Sequence, residues 1–161
     1  MSEEHMEGKD THLTCSNCGK KYFMNTLGRL ESLEGDTEFP HIPDWYNWQR
    51  EEVKKEIKDG SYCLDTAVDI GILADTKAIY MVGEGRLVHT SDGFTLTGCD
   101  GQLTYTQSPK ASYSLYSDYY WYEIGDVICI GDKKRLYYCF PKDKANVAKA
   151  RLAAEEIYKI S

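Results

Sequence analysis

Residues 63–72 read CLDTAVDIGI, and this stretch decides the fold. Leu64, Thr66, Val68, Ile70 and Ile72 alternate with Asp65, Ala67, Asp69 and Gly71, the period of two that a strand with one buried face requires. The same period returns in runs near 78–89, 93–99, 102–107, 112–122, 126–131 and 135–140. Ser91-Asp92-Gly93, Asp100-Gly101 and Gly131-Asp132-Lys133 join these runs with hairpin chemistry. A meander of about seven antiparallel strands is expected.

Beyond Pro141 the pattern changes. DKANVAKARLAAEEIYKI (143–160) is rich in Ala, with Val147, Ala150, Ala153, Ala154, Ile157 and Tyr158 along one stripe. Seven strands followed by one helix is the order of a pleckstrin-homology-like barrel, whose helix plugs an open end.

Upstream, Pro43 suits a first helical turn and Gly60 sits just past the last, which predicts a helix over about 43–58. Tyr46, Val53 and Ile57 share one side of it, flanked by Trp45 and Trp48. Before that helix, His12–Cys15, 21–24 and 29–33 are short strands around the turns at 16–20 and 25–28. A ribbon this small buries too little to fold unaided and needs a staple.

Cys15-Ser16-Asn17-Cys18-Gly19-Lys20 offers that staple. Two thiolates two residues apart chelate one Zn²⁺, and Gly19 permits the tight backbone after them. A structural site takes four ligands and no second such pair occurs in the sequence, so His12 and His41 are the simplest completion. Two incidental thiols, or a redox pair, are the alternatives. The redox reading needs a helix N-terminus after a βαβ pattern, and neither is visible. Cys63, Cys99, Cys129 and Cys139 read as small reduced core residues.

The chain is expected to be α+β, mainly β. A tail over 1–10 is taken as disordered, a zinc-ribbon-like module plus linking helix spans 11–60, and the β domain spans 61–161. A net charge of −7 argues against phosphate-dominated nucleic-acid binding. No apolar run approaches the roughly 20 residues of a membrane span, and the acidic start is unlike a secretory signal. The expected location is the cytoplasm, extending to the cytoplasmic face of a membrane.

Two surface features stand out. Tyr113, Tyr116, Tyr119, Tyr120, Trp121 and Tyr122 read as an aromatic strand or, if exposed, a partner surface. Lys133, Lys134 and Arg135 form a basic turn, read either as solvated or as a weak contact for anionic headgroups.

THLTCSNCGKKYFMNTLGRLESLEGDTEFPHIPDWYNWQREEV (11–53) and DIGILADTKAIYMVGEGRLVHTSDGFTLTGCDG (69–101) resemble the C-terminal region of bacterial 1-acyl-sn-glycerol-3-phosphate acyltransferases. The matching residues include Cys15, Cys18, Gly19, Gly28, the segment from His41 to Tyr46 and Tyr113-Ser114-Leu115-Tyr116. The resemblance implies a phospholipid-synthesis setting and an acyltransferase catalytic domain, or another protein, as partner. It makes this chain a non-catalytic accessory region, with a stand-alone interaction module as the alternative. His5 and Asp10 share the His-x4-Asp spacing of the catalytic half of those enzymes, but sit in a polar terminus with nothing before them to wall a pocket, so no catalytic residue is assigned.

Overall fold

The structure is a computed structural model that describes residue 3, residues 5–74 and residues 77–161. Backbone contacts divide it into Met1–Glu52 and Val53–Ser161. The division falls inside the helix Ile42–Asp59 (α1) rather than at residue 60, because the last turns of α1 belong to the core of the second unit.

The first unit contains β1 (Met6–Lys9), β2 (His12–Cys15), β3 (Lys21–Met24) and β4 (Leu30–Ser32), an antiparallel sheet in that order. The expected disordered tail over 1–10 is corrected here: Met6 pairs with Cys15 and Lys9 with His12. Met1, Ser2 and Glu4 lie outside the described residues. The cause is the two-residue connection Asp10-Thr11, where Asp10 takes φ 54°, a left-handed conformation that Asp tolerates and tight hairpins use. Backbone pairing, not burial, thus forms β1. Cys15, Tyr22 and Leu30 are the buried apolar positions of the sheet. The His41 carbonyl accepts the N–H groups of Asp44 (3.1 Å) and Trp45 (3.3 Å) to start α1, with Pro43 in its first turn as expected.

The second unit holds β5 (Leu64–Ala74), β6 (Ala78–Thr90), β7 (Gly93–Gly98), β8 (Leu103–Gln107), β9 (Tyr116–Trp121), β10 (Gly125–Gly131), β11 (Leu136–Pro141) and the helix α2 (Val147–Ile160). The strands match the periodic runs except 112–122. There Pro109–Ala111 makes a 3-10 turn and Leu115 drops into the core, so β9 begins later.

The sheet order is β8-β7-β6-β5-β11-β10-β9, antiparallel throughout. The expected closed barrel is corrected to an open sheet, since the ladder ends at β8 and β9 without joining them. The sheet nevertheless curls. Gln107 of β8 uses Oε1 to accept the Gly131 N–H of β10 at 2.8 Å, and the Tyr105 ring packs 5.0 Å from that of Tyr137. Side chains, not a backbone ladder, span that gap.

Val68, Ile70, Leu87, Leu96, Ile128, Ile130 and Tyr137 face the interior, and α2 covers them with Val147, Ala150 and Ala154. Asn146 caps α2 by accepting the Lys149 N–H at 3.0 Å. Facing glycines make room for Ile70: a Cβ on Gly85 or Gly98 would lie 2.6 Å from its Cδ1. Leu152, Ala153 and Ile157 of α2 meet Val53, Ile57 and Tyr62 in a second cluster. Burying Ile57 there is worth about 2 kcal/mol. Tyr46, expected on that stripe, is exposed and carries the Arg50 guanidinium 5.3 Å from its ring.

Candidate functional site

Cys15 ends β2, and the chain turns back through Ser16–Gly19 so that the Gly19 N–H meets the Cys15 carbonyl (2.8 Å) and the Cys15 N–H meets the Lys20 carbonyl (2.9 Å). Gly19 has φ 72°, so the glycine is needed for the turn. Cys15 is buried and Cys18 exposed. Two thiols on one tight turn supply half the donors of a tetrahedral zinc site.

His12 and His41 are placed elsewhere. Cys15 stands three positions after His12 in one strand, an odd offset, so the two side chains leave opposite faces, and the His12 ring lies against Phe23. His12 sits at the Asp10-Thr11 end of the sheet. His41 bridges to Arg29 at that same end, across the strands from the cysteine turn. The histidine next to the turn is His5, whose carbonyl accepts the Ser16 N–H at 2.8 Å and whose Nδ1 is 3.5 Å from Ser16 Oγ. Among the described residues no three His, Cys, Asp or Glu side chains gather as a metal set. His5 and Asp10 stand at opposite ends of β1, roughly 15 Å apart, and do not meet.

The structure adds a staple that the sequence reading missed. Glu38 accepts Lys20 Nζ at 2.5 Å and the Tyr22 hydroxyl at 2.7 Å, while Lys20 also donates to the Asp36 carbonyl at 2.9 Å. The Lys20 and Tyr22 bonds hold the Glu38 carboxyl down at about 2. Burial, then the bond to Glu38, pushes the Tyr22 hydroxyl up to about 12. The loop after β4 is thereby tied beside the cysteine turn.

In the second unit the aromatic stretch ends in the β9–β10 hairpin. Tyr119, Tyr120, Tyr122 and Ile124 are 60%, 71%, 81% and 59% exposed. Tyr120, Tyr122 and Glu123 have φ of 49°, 46° and 62°, a costly region for residues with a Cβ. Asp126 fixes the turn by accepting the Tyr120 N–H at 3.0 Å. Trp121 anchors it on the outer face of the sheet, 5.3 Å from Tyr138 and 6.0 Å from Phe140. Exposure therefore favours the partner-surface reading of these aromatics.

Lys133, Lys134 and Arg135 form the exposed β10–β11 turn, as expected. No helix of the described residues is long and apolar enough to cross a membrane. Cys129 and Cys139 are buried core residues, whereas Cys63 is exposed and Cys99 half-buried. Cys63 and Cys99 thus differ from the expected core placement, since they lie at the start of β5 and in the β7–β8 turn.

No family model, curated protein or solved structure matches the chain.

Proposed function

We propose that this chain is a non-catalytic accessory unit that binds another protein through the aromatic β9–β10 hairpin. Its resemblance to the C-terminal region of bacterial 1-acyl-sn-glycerol-3-phosphate acyltransferases makes the catalytic domain of such an enzyme the partner. The observation that carries the reading is the hairpin itself, with three tyrosines turned to solvent on a backbone strained at three non-glycine residues. Tyrosines give large rigid contact area and a hydrogen-bonding tip, the composition of interface centres. A strand order in which the first strand joins two three-strand arms, with a helix laid on the concave face, supports a pleckstrin-homology-like scaffold under that hairpin.

The same proposal gives Cys15 and Cys18 to a structural Zn²⁺ that fixes the ribbon. Bound zinc would hold the turn through two thiolates and add its binding free energy to folding. The reading is tested by supplying acyl-CoA and lysophosphatidate to the purified chain and assaying its metal. The expected result is no turnover, bound zinc, and a melting temperature lowered by chelation. Turnover lost on His5→Ala would replace the accessory reading with an enzymatic one, and zinc-free protein indifferent to chelator would remove the metal.

A further inference from the structure

We propose that one end of the seven-stranded sheet seats on an anionic bilayer, with segment 78–83 of β6 in the interface and the β10–β11 turn against the lipid headgroups. The register brings the two together. Gly131 pairs with Leu136 to close the turn, Tyr137 pairs with Ile72, and Ile72 pairs with Tyr80. The basic turn and residues 78–83 therefore share one end of the sheet, two strand spacings or about 10 Å apart.

Residues 78–83 are an edge. Pairing of β7 with β6 begins at Gly85↔Gly98, so among the described residues this segment has β5 on one side and no paired strand on the other, where Cys99 covers its Val82–Gly83 end with Sγ 3.6 Å from the Val82 carbonyl oxygen. Its sequence, AIYMVG, carries no charge, and Tyr80, Met81 and Val82 are 54%, 54% and 41% exposed. Edges left to water are ordinarily guarded by Lys, Pro or inward charges, none of which is present in this segment.

Among the described residues the cations beside it form no salt bridge, although the Arg135 and Lys134 charges act on the neighbouring Asp132 carboxyl. Lys133, Lys134 and Arg135 are exposed, and the acid nearest in sequence, Asp132, has its Oδ1 taken by the backbone N–H groups of Lys134 (2.7 Å) and Arg135 (3.0 Å). In a chain of net charge −7 this local reversal of sign selects an anionic surface. Tyr80 and Met81 are neighbours in a strand and leave opposite faces, so the apolar medium must surround the strand. A bilayer interface does that, whereas the flat face of a protein covers one side. The opposite end of the sheet carries Asp118, Glu123 and Asp126 around the β9–β10 hairpin, which an anionic surface repels and so turns away. The seating stands without the zinc and without the acyltransferase partner.

The experiment is co-sedimentation of the full chain with phosphatidylcholine vesicles made with and without phosphatidylserine. The expected result is binding that requires phosphatidylserine and weakens about tenfold or more in Lys133→Glu plus Lys134→Glu, each charge near the surface adding independently. Tyr80→Ser plus Met81→Ser should weaken it comparably, and Tyr80→Ser alone in part, with melting temperatures unchanged because these side chains are exposed. Absence of binding to phosphatidylserine vesicles, equal binding without phosphatidylserine, or binding indifferent to the charge reversals would overturn the proposal. Binding to polyglutamate without binding to vesicles would overturn it in favour of an acidic protein.

Discussion

The Tyr62 hydroxyl lies 2.9 Å from Nδ1 of His89, whose ring is stacked on Phe94 with centroids 3.7 Å apart. The pair ties the segment after α1 to β6 inside the second unit. Burial lowers the His89 pKa from 6.5 to about 3, so the native imidazole is neutral. An unfolded chain takes up the proton below about pH 6.5, whereas the native state resists until about 3. Stability from this group is therefore complete above about 6.5 and declines as pH falls toward 3, by up to about 1.4 kcal/mol per pH unit. Thermal melts between pH 7 and 4 should show a shallower decline in His89→Phe than in the wild type; equal slopes would remove His89 from the acid response.

Glu38 governs the first unit in the same direction of pH. Its carboxyl is held at about 2 by Lys20 and Tyr22, so its contribution is present above the ordinary carboxylate range and is lost as pH falls toward 2. Glu38→Ala should raise amide exchange in β2 and β3 by about tenfold, as expected for losing charge-assisted bonds at a loop tie. Exchange confined to wild-type rates would show that the network is not a staple.

Gly98 tests the packing beneath the sheet. A Cβ there would stand 2.6 Å from Ile70 Cδ1 and 2.6 Å from the Glu84 carbonyl oxygen. Gly98→Ala should cost about 1–3 kcal/mol, and adding Ile70→Val, which removes Cδ1, should return part of that loss. Additive denaturant midpoints for the two substitutions would contradict the packing described.

Thiol labelling separates the six cysteines. Cys63 is exposed and should react at once, while Cys129 and Cys139, whose thiols burial pushes up, to about 12 for Cys129, should react only on unfolding. Cys18, exposed on its turn, should react slowly in zinc-loaded protein and quickly after chelation. Rapid labelling of Cys18 in metal-loaded protein would exclude it as a ligand.

The β domain was legible because each strand keeps one face apolar, so the period of two from Leu64 to Ile72 reports burial directly. β1 was not, since MEGK has no alternation and is paired through its backbone alone. Closure was misread for a related reason: β8 and β9 form no ladder, and β8 instead reaches β10 through the Gln107 side chain at Gly131, which no local pattern encodes. At the ribbon, the cysteine turn was plain from its spacing. Strand parity, which sets His12 and Cys15 on opposite faces of β2, was not applied when His12 was read as a ligand, and the Glu38 ties to Lys20 and Tyr22 join residues separated by a loop without periodic signal. His89 stood in an alternating strand as any polar residue would, and nothing local marked Tyr62 as its partner.

The accessory reading stands on the aromatic hairpin, and calorimetric titration of this chain into a separately purified 1-acyl-sn-glycerol-3-phosphate acyltransferase catalytic domain measures it directly. Saturable binding in the micromolar range, abolished by Tyr120→Ser plus Tyr122→Ser while the melting temperature is retained, is the predicted result. Binding undiminished in that variant, or no binding by the wild type at concentrations a hundredfold higher, would contradict the account.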